Sequence, residues 1–228
     1  MELEHLATLH PVLYHMADAR NWFSIERHGL LSTSVLLDRC AVSGARRDVL
    51  EASHRPAIVA LSGASGTVFV RDQHPLDPSV LAGCLDDMTP EAWYRVLNAR
   101  VFFWPTRDRL ERMLKAYGRE EQAVFAVDTR ELLGRHAGKT ELSHINSGFA
   151  SKLYRPARRG RHTFVPLRDY AYSARNKIAE VTVLGSVPDI FEVTRRVTIQ
   201  QRGRDDRVLW QPERVRETPI TFCHQKGL

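Results

Sequence analysis

A single carboxylate interrupts an otherwise apolar, β-branched run in Ile178-Ala179-Glu180-Val181-Thr182-Val183. Glutamate is among the residues least often fully buried, and a lone carboxylate in a strand costs free energy unless something pairs with it or uses it. Glu180 therefore has two readings: a strand edge facing water, or a catalytic group that stabilises positive charge or accepts a proton. Two other segments bear on the choice. Leu13-Tyr14-His15-Met16 places a histidine in a short apolar run, either as a satisfied core residue or as a ligand contact. Val101-Phe102-Phe103-Trp104 is an aromatic strand in which Phe102 and Trp104 share one face and Phe103 takes the other. Alternation leaves open which face lines a pocket and which is core.

Arginines supply the remaining chemistry. The chain carries 33 basic against 27 acidic residues, net +6, with the excess in the second half. Arg155, Arg158, Arg159, Arg161 and Arg168 cluster, and Arg195, Arg196, Arg202, Arg204, Arg207, Arg214 and Arg216 follow. This balance permits contact with phosphates or an acidic partner, and equally describes a solvated basic face. Arg46, Arg47, Arg55 and Arg71 are candidates nearer the start; Arg71 and Asp72 read either as an ion pair or as pocket lining.

Several chemistries find no motif. The chain has no P-loop, no dinucleotide fingerprint after a strand and no nucleophile elbow. Cys40, Cys84 and Cys223 are odd in number, far apart and without ligand spacing, which predicts free thiols and no metal site. His5, His10 and His15 fall on different faces, and His136 and His144 read as loop residues. No apolar run approaches the roughly 20 residues that cross a bilayer, and the first residues lack a signal-peptide pattern. A cytoplasmic protein without membrane contact is the expectation.

The elements that must position these groups follow from periodicity. Asp18 caps a helix over 19–28, closed by Gly29, and 34–39 starts another turn. Residues 41–56 read as a loop or short helix. Residues 57–62 and 67–70 flank a turn at 63–66 and predict a hairpin. Thr89-Pro90 opens a helix to about Leu97, residues 107–117 form an amphipathic helix closed by Gly118, 123–127 a strand and 129–136 a helix. Residues 137–177 are long and irregular, with a short strand at 164–166. Strands at 178–184 and 193–199 precede a polar, loosely held tail. The fold class is α+β, with residues 1–200 as one domain and 201–228 as its basic extension.

The opening Leu13-Tyr14-His15-Met16-Ala17-Asp18-Ala19-Arg20-Asn21-Trp22 through Gly29-Leu30-Leu31-Ser32, the aromatic strand 101–104, and Ala179-Glu180-Val181-Thr182-Val183 through Val187-Pro188-Asp189-Ile190 occur in this order. Together they resemble the DarT-like branch of the ADP-ribosyltransferase superfamily. The resemblance implies a split mixed β-sheet flanked by helices. It implies transfer of ADP-ribose from NAD to a nucleic acid or a protein, without a metal, and an oxocarbenium-like transition state. It assigns catalysis to Glu180. NAD binding falls to His15, Tyr14, Arg47 and an aromatic among Phe102, Phe103 and Trp104. The acceptor loop carries Asn146, Arg158 and Arg159. The branch includes DNA-modifying toxins, which leaves room for an antitoxin partner. The chain departs from the branch through residues 62–78. Rival expectations are an NAD glycohydrolase, an RNA 2′-phosphotransferase-like enzyme, and a non-catalytic basic nucleic-acid-binding module.

Overall fold

A computed structural model describes residues 1–63, 66–73, 76–117 and 119–213. The expected helix stop at Gly118, part of the hairpin turn, Arg214, Arg216, Cys223 and the extension past residue 213 lie outside the described residues.

The elements run α1 (Leu3–Leu9), β1 (Val12–Asp18), α2 (Trp22–His28), β2 (Leu30–Leu31), α3 (Thr33–Arg39), α4 (Gly44–Glu51), β3 (Val59–Gly63) and β4 (Gly66–Val70). Then come α5 (Pro78–Cys84), α6 (Pro90–Asn98), β5 (Arg100–Phe103), α7 (Arg107–Tyr117), β6 (Gln122–Asp128), α8 (Thr129–His136) and β7 (Thr140–Ser143). The chain continues with β8 (Val165–Pro166), β9 (Glu180–Leu184), β10 (Ser186–Val187), α9 (Ile190–Val193), β11 (Thr194–Gln200) and β12 (Arg207–Trp210). The class is α+β, as expected.

Two four-stranded sheets dominate, ordered β1-β6-β11-β12 and β5-β9-β7-β8, and their named strand pairs are antiparallel. Among the described residues their backbones pair at one bridge. Tyr14 N–H donates to Trp104 O at 2.9 Å and Trp104 N–H returns to Tyr14 O at 2.8 Å. One residue further along β1 the backbone pairing ends, and the His15 ring takes over, bonding Phe102 O at 2.8 Å. The strands splay from that point and open a cleft.

The main core lies where both sheets and the helices beside them converge, with Leu13, Phe103, Phe125, Val181, Val183 and Val197 all at 3 % exposure or less. A second pairing ties the segment after α2 to the segment after β9. Leu30 and Leu31 of β2 pair with Val187 and Ser186 of β10, and Ser32 N–H bonds Gly185 O at 2.8 Å. Gly29 makes this possible. Its φ of 71° is left-handed, and a Cβ there would sit 2.3 Å from Val187 O.

Several expectations need adjustment. The first helix begins with a 3₁₀ turn over Ala19–Asn21, whose first amide Arg20 N–H bonds the Asp18 carboxylate at 3.0 Å. Residues 44–51 are helical, and α1 and α5 are additional helices. The irregular stretch contains β7, whose Leu142 is fully buried beside Val181. Far from being loosely held, β12 closes the first sheet, with Trp210 packed on Phe191 at 5.1 Å. Among the described residues no helix is long and apolar enough to cross a membrane.

Candidate functional site

A cavity of about 830 Å³ opens where the two sheets splay. That volume lies within the roughly 300–1,000 Å³ of small-molecule sites. His15 and Met16 line it from β1, Phe102 from β5 with Trp104 just after it, and Glu180 from the start of β9. Arg109, Arg112 and Met113 of α7 face it, as do Phe69, Arg71 and Asp72 at the end of the β3–β4 hairpin. Asn146, Phe149 and Tyr154 complete the mouth.

Glu180 is 4 % exposed. Its place follows from strand register: Glu180 pairs with Ser143 at the end of β7, where the chain turns into the 144–160 loop. Ser147 N–H from that loop reaches both carboxylate oxygens at 3.2 Å. Burial pushes the carboxyl up to about 7, against the pull of Ser147, Arg109 and Arg159. A carboxyl that exchanges its proton near neutral pH suits general base work.

The loop is held by Arg159, a large cation that is 1 % exposed. Its guanidinium donates to Ser147 O at 2.8 Å, Phe149 O at 2.9 Å and Ala157 O at 3.2 Å. It thereby fixes the amide that binds Glu180, and burial lowers its own pKa. Sequence reasoning set Arg159 in the acceptor-facing loop; its donors are instead turned inward onto backbone carbonyls.

His15 contributes one nitrogen. Burial lowers its pKa to about 4, so the ring is neutral at physiological pH. A neutral ring with a carbonyl at Nδ1 carries its proton there, donates it to Phe102 O, and leaves Nε2 as an acceptor. Phe103 and Phe125 flank the ring at 5.6 and 6.0 Å between centroids. The ring is thus half satisfied by backbone and half free for a ligand.

Strand alternation resolves the aromatic run. Phe103 is core at 0 % exposure, while Phe102 and Trp104 line the cavity; Val101, 3 % exposed, borders it too. Phe103 therefore lies behind the site. Tyr14 does not line the cavity; it packs with Met16, Leu110, Tyr117 and Val124 under α7. Arg47 also lies elsewhere, paired with Glu51 at 2.8 Å and with Asp38, because α4 turns that face toward α3 and α6 rather than the cleft. Arg158 lies on the exterior, bonding Asp86, Gly83 O at 2.9 Å and Leu85 O at 3.0 Å. Asn146 is brought to the cavity as expected.

The arginines that face the cavity are partly different ones. Arg109 and Arg112 stand one helical turn apart on α7, and neither hydrogen-bonds nor ion-pairs with another described residue. Arg109 is close enough to Glu180 for their charges to interact. The signal was the three-residue spacing beside the apolar stripe of α7, which sequence reasoning passed over. Arg71 bonds Gln122 Oε1 and lies over the Tyr117 ring at 4.7 Å. Arg55 is spent on backbone and on Asn98 Oδ1 at 3.0 Å. Arg71 and Asp72 do not form a close ion pair, although their charges interact; Arg71 bonds Gln122, and Asp72 Oδ1 bonds no described residue. Among the described residues no group of three or more His, Cys, Asp or Glu is arranged to hold a metal ion, and Cys40 and Cys84 are free thiols.

Fold and site together define an α+β protein with a titratable carboxylate and a neutral histidine in one cation-walled cleft. The chain belongs to DUF7002, a family of unknown function, whose model matches residues 11–194 and so includes every residue of this site. No curated protein and no solved structure matches it.

Proposed function

We propose that this protein is an NAD-dependent ADP-ribosyltransferase of the split-sheet type, acting on a nucleic acid or a protein. The observation that carries the reading is the convergence of Glu180, His15 and the Phe102/Trp104 face on a single cavity. These groups lie far apart in the chain, and they are the ones whose chemistry suits cleavage of an N-glycosidic bond.

NAD supplies an activated ribose whose nicotinamide departs with the bonding electron pair. The Glu180 carboxylate stabilises the positive charge that develops on that ribose and holds its 2′-hydroxyl. With its pKa raised to about 7, Glu180 also takes the proton of the attacking acceptor. His15 Nε2 accepts a hydrogen bond from a ribose hydroxyl. Phe102 and Trp104 offer flat apolar surface to the nicotinamide ring. Arg109 and Arg112 offer donors to phosphate oxygens. A module that only binds phosphates gains nothing from a carboxylate set in its cleft, which argues against a non-catalytic reading.

The test is incubation with labelled NAD and separate pools of DNA, RNA and protein. Wild type labels one pool, and Glu180→Gln abolishes the labelling. Equal labelling of every pool by both proteins would defeat the assignment. Release of free nicotinamide without any acceptor would favour transfer to water.

A further inference from the structure

We propose that Asp72 binds a vicinal diol of the ligand's ribose and thereby selects a dinucleotide with a free 2′-hydroxyl over its 2′-phosphorylated form. The inference rests on the reading of this cavity as a dinucleotide site. Asp72 lines the cavity wall just after β4, and its Oδ1 is buried with no hydrogen-bond partner among the described residues. No ion pair or hydrogen bond of any described residue reaches its other oxygen either. A half-buried carboxylate in that state is costly unless something else completes it.

The surrounding chain is pinned, so the side chain is presented rather than loose. Gln73 N–H bonds Arg55 O at 2.8 Å and Arg55 N–H bonds Gln73 Oε1 at 3.1 Å. Arg55 Nε reaches Arg71 O at 3.1 Å, and the His54 ring meets Gln73 O at 3.2 Å. The two nearest cations have turned their hydrogen bonds elsewhere, Arg55 to Leu50 O and Asn98 and Arg71 to Gln122.

Charge then narrows the ligand group. The cavity already holds Arg55, Arg71, Arg109 and Arg112, which repel a cationic group or a metal ion. The carboxylate itself repels a phosphate. What remains is a neutral group with donors, and adjacent ribose hydroxyls offer two to this carboxylate. A carboxylate on a ribose diol is a known physical basis for rejecting a 2′-phosphate.

The experiment is calorimetric titration of wild type and Asp72→Asn with NAD, NADP and the hypoxanthine analogue of NAD. Wild type should bind NAD at least about tenfold tighter than NADP, the scale of a hydrogen bond to a charged group. Asp72→Asn should weaken NAD about tenfold while binding NADP no more weakly than wild type does, and so close the gap. The hypoxanthine analogue should behave as NAD does; its selective rejection would move Asp72 to the base and overturn the proposal. An undiminished preference in Asp72→Asn, or equal affinities in wild type, would also overturn it. Failure of wild type to bind any dinucleotide would instead sink the functional reading on which this rests. Asp72→Asn should melt close to wild type without ligand, because the carboxylate makes no hydrogen bond in the folded chain and only its charge acts on Arg55 and Arg71; a large fall in melting temperature would mark a structural role and reject the proposal.

Discussion

Replacing Glu180 with glutamine should stabilise the protein, and only on the alkaline side. Below pH 4.5 the carboxyl is protonated in both the folded and the unfolded chain, so the substitution changes little. Between 4.5 and about 7 the unfolded chain releases its proton while the folded chain keeps it. The folded state then binds more protons, and wild-type stability falls as pH rises. Above about 7 the folded carboxylate is charged as well, and the penalty is constant. The gap between 4.5 and about 7, at about 1.36 kcal/mol per pH unit, amounts to about 3 kcal/mol. Glutamine is neutral throughout and its carbonyl can still accept from Ser147 N–H. The stability difference between Glu180→Gln and wild type should therefore grow from near zero at pH 4.5 to about 3 kcal/mol at pH 8. Urea unfolding at a series of pH values measures it, and taking the difference removes titrations common to both proteins. A difference that stays flat with pH would refute the reasoning. A variant less stable than wild type at pH 8 would show that Ser147, Arg109 and Arg159 outweigh burial.

His15 should show the opposite slope. Its pKa is lowered from 6.5 to about 4, so the unfolded chain binds the extra proton in that window and wild-type stability rises with pH. His15→Gln should gain about 3 kcal/mol on wild type between pH 7 and pH 4, read by the same unfolding series, and wild type should be nearly flat where the two windows overlap. Arg159→Met leaves Ser147 O, Phe149 O and Ala157 O without their donor. A loss of about 3 kcal/mol is expected, with faster hydrogen exchange at the Ser147 amide and partial recovery in Arg159→Lys; unchanged exchange would contradict it. Gly29→Ala places a Cβ 2.3 Å from Val187 O at a φ of +71°, and chemical denaturation should register about 3 kcal/mol or more.

Elements with dense local signals were legible in the chain. Residues 107–117 and 129–136 carry amphipathic periodicity and matched their helices end to end. Thr89-Pro90 announced α6 through its cap, where Thr89 Oγ1 accepts from Ala92 N–H at 3.3 Å. Asp77-Pro78 carries the same signature for α5 and was overlooked. β7 is four residues long, and an alternation that short is lost among loop residues; its pairing with β9 supplies what local sequence lacks. β12 is only Arg207-Val208-Leu209-Trp210, and so short an apolar run was passed over between the charged residues that precede it and the polar ones that follow. In the site, Glu180 stood out because a charge in an apolar run is anomalous. Arg109 and Arg112 did not, since charges on an amphipathic helix look like its wet face. Arg159 was read as surface because nothing local reveals that three carbonyls surround it.

The central claim is that Glu180 sits beneath the labile ribose of a bound dinucleotide. A crystal structure with a non-hydrolysable NAD analogue tests it most directly. The account predicts a ribose hydroxyl within hydrogen-bonding distance of Glu180 and the nicotinamide against Phe102 or Trp104. An analogue bound elsewhere, or a cleft that stays empty at saturating analogue, would contradict it.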